Sequence, residues 1–158
     1  MAFNINEIKS QLTFGGAKAS LFQVAITNPI NGVADLKTPF MVQAAQIPEA
    51  TMGVIEIPYF GRKVKVAGDR TFAEWTVTII NDEDFLIRNA MEEWMASINS
   101  HEGNVTQLGT ASASEYKAQA QITQYSKTGG PLRTYNFNGL FPTTIGAITT
   151  DWSTTDDI

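Results

Sequence analysis

Alternation of apolar and polar side chains recurs along this chain, and it marks strands with one face in a core and one in water. From Leu21 to Thr27, Phe22, Val24 and Ile26 point one way, and Gln23, Ala25 and Thr27 the other. Thr71 to Ile80 is the clearest strand, with Ala73, Trp75, Val77 and Ile79 opposing Glu74, Thr76 and Thr78. Tyr116 to Tyr125 alternates again, with Ala118, Ala120 and Ile122 opposite Gln119, Gln121 and Thr123. Thr128-Gly129-Gly130-Pro131 reads as a turn into a partner strand, Arg133 to Phe141, with Tyr135 and Phe137 on one face and Pro142 at its end. Asn31-Gly32 is a hairpin signal, so Lys37 to Gln46 is expected to return as a second strand, with Pro39 at an edge. Pro48 to Gly53 breaks the pattern. Val54 to Ile57 and Arg62 to Val66 then predict two short extended arms around Pro58-Tyr59-Phe60-Gly61. Ile145 to Trp152 predicts a further short strand.

Helical spacing appears twice. Asn81 is expected to cap a helix over residues 82–98, with Asp82, Glu83 and Asp84 complementing its positive end. Ile87, Met91, Trp94 and Ile98 share one face of that helix. Asn4, with Glu7 three residues on, predicts a short first helix that presents Ile5, Ile8 and Leu12 and stops at Gly15-Gly16. Asn104 to Ser114 reads as a polar loop. Runs of strands interrupted by one flanking helix favour a mainly β fold of two packed antiparallel sheets, a sandwich or partial barrel, over a parallel βαβ sheet. A chain of 158 residues suits a single domain, 1–158, and can bury a core without staples.

Composition narrows the chemistry. There is no cysteine and one histidine, so thiolate chemistry, disulfides and sites built on two histidines are excluded. Eleven basic against 16 acidic side chains give a net charge of −5, which argues against a nucleic-acid-binding module. Charged residues make up only 17%, which suggests a surface partly covered by something other than water. No apolar run reaches a membrane span, and Met1 to Lys9 lacks a signal-peptide pattern. The sequon-like Asn104-Val105-Thr106 therefore reads as incidental.

Each candidate motif has a plain reading. Asp82-Glu83-Asp84 lacks the alternating spacing of a calcium loop and reads as a helix cap. Glu92 and Glu93, adjacent on a helix, point about 100° apart and read as a solvated face. His101 beside Glu102 reads as a surface residue. Gly15-Gly16-Ala17-Lys18 lacks the spacing of a phosphate-cradling loop. Arg62, Lys63 and Lys65 form a small basic cluster, with Lys63 and Lys65 on one strand face and Arg62 on the other. That cluster leaves a solvated edge, a subunit contact and a nucleic-acid patch all open. Gly68-Asp69-Arg70-Thr71 is either a turn with a local salt bridge or an inter-subunit contact. No catalytic, metal or cofactor site is expected, and no enzyme. Long strands rich in Thr, Gln and Ala need a paired or covered edge, which favours an assembling protein.

The stretch Val66-Ala67-Gly68-Asp69-Arg70-Thr71-Phe72-Ala73-Glu74-Trp75-Thr76-Val77-Thr78-Ile79-Ile80-Asn81-Asp82-Glu83 resembles the tail tube proteins of T-even-type contractile-tailed phages. Phe14-Gly15-Gly16-Ala17 with Leu21-Phe22-Gln23-Val24, and Gly139-Leu140-Phe141-Pro142-Thr143-Thr144-Ile145-Gly146 with Asp151-Trp152, are similar to that family's opening and late motifs. The resemblance implies a structural subunit whose six-membered rings join their inner sheets into a continuous β-barrel and stack into a hollow tube. It implies as partners further copies of the chain, a sheath protein, a tape-measure protein, and baseplate and terminator proteins. Phage DNA would pass along the lumen without sequence-specific binding, and no membrane insertion is expected. A net-negative ring would repel that DNA. The implied location is the virion tail, with assembly in the host cytoplasm. The tube of a tailocin or of an extracellular contractile injection system is the alternative. The excursion holding Tyr59, Phe60, Arg62, Lys63, Lys65, Asp69 and Arg70 is the expected subunit and ring interface. The family continues with another aromatic-bearing strand, whereas this sequence stops at Asp156-Asp157-Ile158. Either the sequence is cut short or this member lacks that strand, and its absence would leave part of one sheet unpaired.

Overall fold

A computed structural model describes residues 5–12, 15–107 and 112–153 of the chain. Asn4, Phe14, residues 108–111 of the expected loop, and Asp156 to Ile158 lie outside the described residues. The protein is mainly β, with antiparallel sheets and few helices, consistent with a tail tube fold. Its residues divide into two compact units, 1–41 with 81–158, and 42–80.

The first unit holds the core. α1 (Ile5–Gln11) is exposed along its length, including Ile5 and Ile8. β1 (Phe22–Ile26), β6 (Ala118–Tyr125) and β7 (Pro131–Leu140) form one antiparallel sheet in the order β1-β6-β7. The expected alternation sets its register. Val24 faces Ile122, and Ile122 in turn faces Tyr135, while Ala120 lies between Ile26 and Phe137. Val24, Ala118, Ala120 and Ile122 are buried, together with Ile87, Ala90 and Trp94 of α3 (Leu86–Ile98). The other face of the sheet carries Gln23, Ala25, Gln119, Gln121, Thr123, Thr134, Asn136 and Asn138, paired across the strands in that register. None of these eight side chains ionises.

Polar contacts tie the helical segments down. The buried Asn28 side chain donates to the Ala90 carbonyl at 3.1 Å and accepts from the Ile30 and Asn31 backbone amides. The Trp94 indole donates to the Tyr116 carbonyl at 2.8 Å. A short helix, α4 (Ala113–Tyr116), runs from the end of the expected loop into the expected strand, which therefore starts at Ala118, and the Glu115 carboxylate accepts from the Ser112 amide. That Ser-x-x-Glu spacing was its signal in the sequence.

Four further expectations are corrected in this unit and at its borders. Asn31-Gly32 does not turn a hairpin. The Asn31 side chain instead accepts from Val33 N–H and caps a 3₁₀ turn, Gly32–Ala34. α2 (Thr38–Met41) follows, so Lys37 to Gln46 is extended only as β2 (Val42–Ala45), and β1 pairs with β6 instead. The main helix starts at Leu86, not at 82. Phe85 enters it in the left-handed conformation, φ 49°, which breaks the helical path before it. Asp82 and Asp84 clasp Lys37, whose Nζ lies 2.8 and 2.7 Å from their carboxylates, while the other Asp84 oxygen still accepts from the Leu86 N–H at the helix start at 3.0 Å. Residues 145–150 form no strand, although Gly146 offers its carbonyl to Arg88 at 3.0 Å.

The second unit comprises two two-stranded sheets. β2 pairs with β5 (Val77–Ile79). β3 (Ala50–Tyr59) pairs with β4 (Arg62–Phe72) in a long hairpin. The strand expected from Thr71 to Ile80 is thus split, because its first two residues end β4 and only 77–79 pair with β2. Its alternation survives at Trp75, Val77 and Ile79, which are half-buried between exposed neighbours. The break expected from Pro48 to Gly53 is also displaced, since β3 already runs from Ala50.

Two outcomes test this packing. Trp94→Ala should destabilise the chain by about 3–5 kcal/mol, through a cavity and an unpaired carbonyl, as read by chemical denaturation. The Lys37 hydrogen bonds hold the Asp82 and Asp84 carboxyls below their ordinary value of 3.8, and the same bonds raise Lys37 above 10.5. Depressed carboxylates stabilise the fold above pH 3.8 and lose that contribution as pH falls below it. Lys37→Met should therefore flatten the acid limb of a stability–pH profile by lowering stability at neutral pH towards its acid value, a small loss because both carboxylates are half exposed.

Candidate assembly surface

The β3–β4 hairpin gathers all seven residues expected at an interface. Register places Tyr59 opposite Arg62, Pro58 opposite Lys63, Ile57 opposite Val64, Glu56 opposite Lys65 and Ile55 opposite Val66. Directly paired residues share a face. One face therefore carries Ile55, Ile57, Tyr59, Val64 and Val66, with Arg62 at the tip. The other carries Glu56, Lys63 and Lys65 with Val54, Pro58 and Ala67. Lys63 and Lys65 do share a face, and Arg62 opposes them. Lys63 Nζ lies 2.7 Å from the Glu56 carboxylate, a diagonal neighbour on the charged face.

The tip is a two-residue turn with both central residues at positive φ, Phe60 at 46° and Gly61 at 78°. Such turns match the right-handed twist of a hairpin and favour Asn-Gly. Phe60 is an unusual choice there, because a bulky L-residue in the left-handed region is strained. Its ring meets Tyr59 edge-on at 4.6 Å and is otherwise bare, being 91% exposed. Strain retained under an uncovered aromatic ring points to a task for that ring outside the monomer.

Asp69 and Arg70 sit in β4, not in a turn, and no salt bridge joins them. Met52 pairs with Arg70 and Val54 with Ala67, so Gly53 alone faces both Gly68 and Asp69, a β-bulge. A side chain on either glycine would crowd this close approach. A Cβ on Gly68 would lie 3.3 Å from the Gly53 carbonyl group, and one on Gly53 would lie 3.1 Å from the Asp69 carbonyl oxygen.

The apolar stripe of Ile55, Ile57, Val64 and Val66 was not singled out as functional from sequence, although its period of two was visible. All four are between 44% and 56% exposed. No outer edge of the hairpin pairs with another described strand. A lone two-stranded ribbon is marginal in water, so this arrangement is suited to being covered and to little else chemically. Among the described residues no group of His, Cys, Asp and Glu could hold a metal ion. No helix among them is long and apolar enough to cross a membrane.

Phe60→Asn restores the favoured Asn-Gly turn. It should stabilise the isolated hairpin by about 1 kcal/mol, seen as roughly fivefold slower amide exchange in β3 and β4 of the monomer.

Comparison with known proteins supplies the context for this surface. Residues 6–158 match the phage tail tube protein family. The tail tube protein gp19 of Enterobacteria phage T4 is 32% identical over 143 residues, covering 90% of this chain and 83% of that protein. Its counterpart in Enterobacteria phage T6 matches equally, at 32% over 143 residues. The tail tube protein of Serratia phage KSP90 is 25% identical over 157 residues, covering 96% of this chain and 87% of the relative. This chain belongs to the phage tail tube protein family, a structural component of the virion tail and not an enzyme.

Proposed function

We propose that this chain forms six-membered rings that stack into the hollow inner tube of a contractile tail, and that the β3–β4 hairpin is the arm joining neighbouring subunits and rings. The observation that carries the reading is the hairpin itself. It presents apolar side chains to water, keeps a strained Phe60 at its tip, and leaves both edges unpaired. Assembly supplies the cover and the edge partners that the monomer lacks. Tyr59, Phe60 and Arg62 make contacts at the tip, and Lys63, Lys65, Asp69 and Arg70 act along the arm. The tube assembles in the host cytoplasm, inside a sheath, at a length set by a tape-measure protein, between baseplate and terminator proteins. It conducts DNA into the host. The net charge of −5 per subunit supports a conduit that phosphate does not grip.

Negative-stain electron microscopy of the purified chain, alone and with baseplate seeds, should show hollow tubes or six-fold rings. Monomers alone under both conditions would overturn the reading. Phe60→Ala and Arg62→Glu should block tube growth with unchanged circular dichroism, and Asp69→Ala and Arg70→Ala should weaken it. Tubes of normal length and yield from the first two variants would remove the tip from the interface.

A further inference from the structure

We infer that the two faces of the hairpin have opposite fates on assembly: the Ile55–Ile57–Tyr59–Val64–Val66 face is buried against a second copy of this chain, whereas the Glu56–Lys63–Lys65 face stays in water. This rests on the assembling role proposed above and divides its interface residue by residue. Period-two geometry forces a choice, because a face that docks turns the opposite face away. Burying the apolar face removes large aliphatic side chains from water, with Arg62 at the tip the one charge on that face near the contact. Burying the other would desolvate two lysines and a glutamate, of which only Lys63 and Glu56 are paired.

Charge identifies the occupant. The segment Ala50–Phe72 has four basic side chains (Arg62, Lys63, Lys65, Arg70) and two acidic ones (Glu56, Asp69), a net of +2. The whole chain is −5, so the remainder is −5 − (+2) = −7. A positive arm on an otherwise negative chain is drawn to another copy of that chain. Lys63 and Lys65, hydrated beside the contact, then act on encounter rate and salt dependence more than on the strength of the final contact. They are steering residues, and Tyr59 with its aliphatic neighbours holds the joint.

The absence of cysteine makes the test direct. Single variants Ile57→Cys, Val64→Cys and Lys65→Cys are each mixed at low ratio into wild-type chain, and maleimide labelling is compared before and after assembly. All three should label rapidly as monomers. In tubes, position 65 should keep its rate within about threefold, while positions 57 and 64 should slow at least tenfold. Exclusion of both apolar-face variants from tubes that admit Lys65→Cys supports the same assignment. Equal protection of the two faces, or protection of 65 alone, overturns it while leaving the tube role intact. Slow labelling at 57 and 64 already in the monomer also overturns it, since the chain would then cover its own arm. If the wild-type chain forms no tubes even with seeds, the assembling role falls and the face assignment falls with it.

Discussion

Every β-strand has two hydrogen-bonding edges, and a short chain folded into small sheets leaves more edges than it can pair. That constraint governs this protein. Each of its three described sheets ends in strands paired on one side only. A monomer must either blunt those edges or lend them to other copies. No further described strand pairs with the hairpin's edges, and its Glu56, Lys63 and Lys65 lie on one face with Arg62 alone at the tip of the other. The first unit, by contrast, holds the buried Val24–Ile122–Trp94 core that a stable fold requires. The buried core and the exposed, unpaired hairpin thus lie in different parts of the chain.

The parts legible in sequence were those where one local pattern and one tertiary demand agree. β1, β6 and β7 follow from alternation because one of their faces meets the core and the other does not. The apolar face of α3 followed likewise from Ile87 and Trp94. Reading failed where a distant residue settled a local choice. Asn81 to Asp84 has the composition of a helix start, but Lys37 captures Asp82 and Asp84, and Phe85 in the left-handed conformation resets the chain. Asn31 has the composition of a hairpin turn, but its side chain caps the following 3₁₀ turn. The Lys37 clasp lies outside any window of neighbours, and Asn31 is also held from afar, its side-chain amide donating to the Glu93 carboxylate.

The hairpin was half legible. Its tip and its basic residues stood out, yet Pro48 and Pro58 suggested two short arms instead of one continuous ribbon. Pro58 is tolerated because an unpaired outer edge does not need its missing N–H. Gly53 and Gly68 looked like breaks, and they are instead the close-packed pair that lets a bulge pass through an unbroken ladder. Residues that punctuate a sequence can therefore lie inside a strand when its edge is free and its register shifts.

The uncharged outer face of the β1–β6–β7 sheet has a different consequence. Its glutamines, asparagines and threonines titrate nowhere between mild acid and mild base, and they hold no counterions to release. Salt and pH, the two variables that reach the hairpin and the Lys37 clasp, have no handle on it. Whatever slides past or rests against that wall meets a hydrogen-bonding lattice of constant character. The protein thereby keeps one surface whose character does not follow the ionic conditions around it.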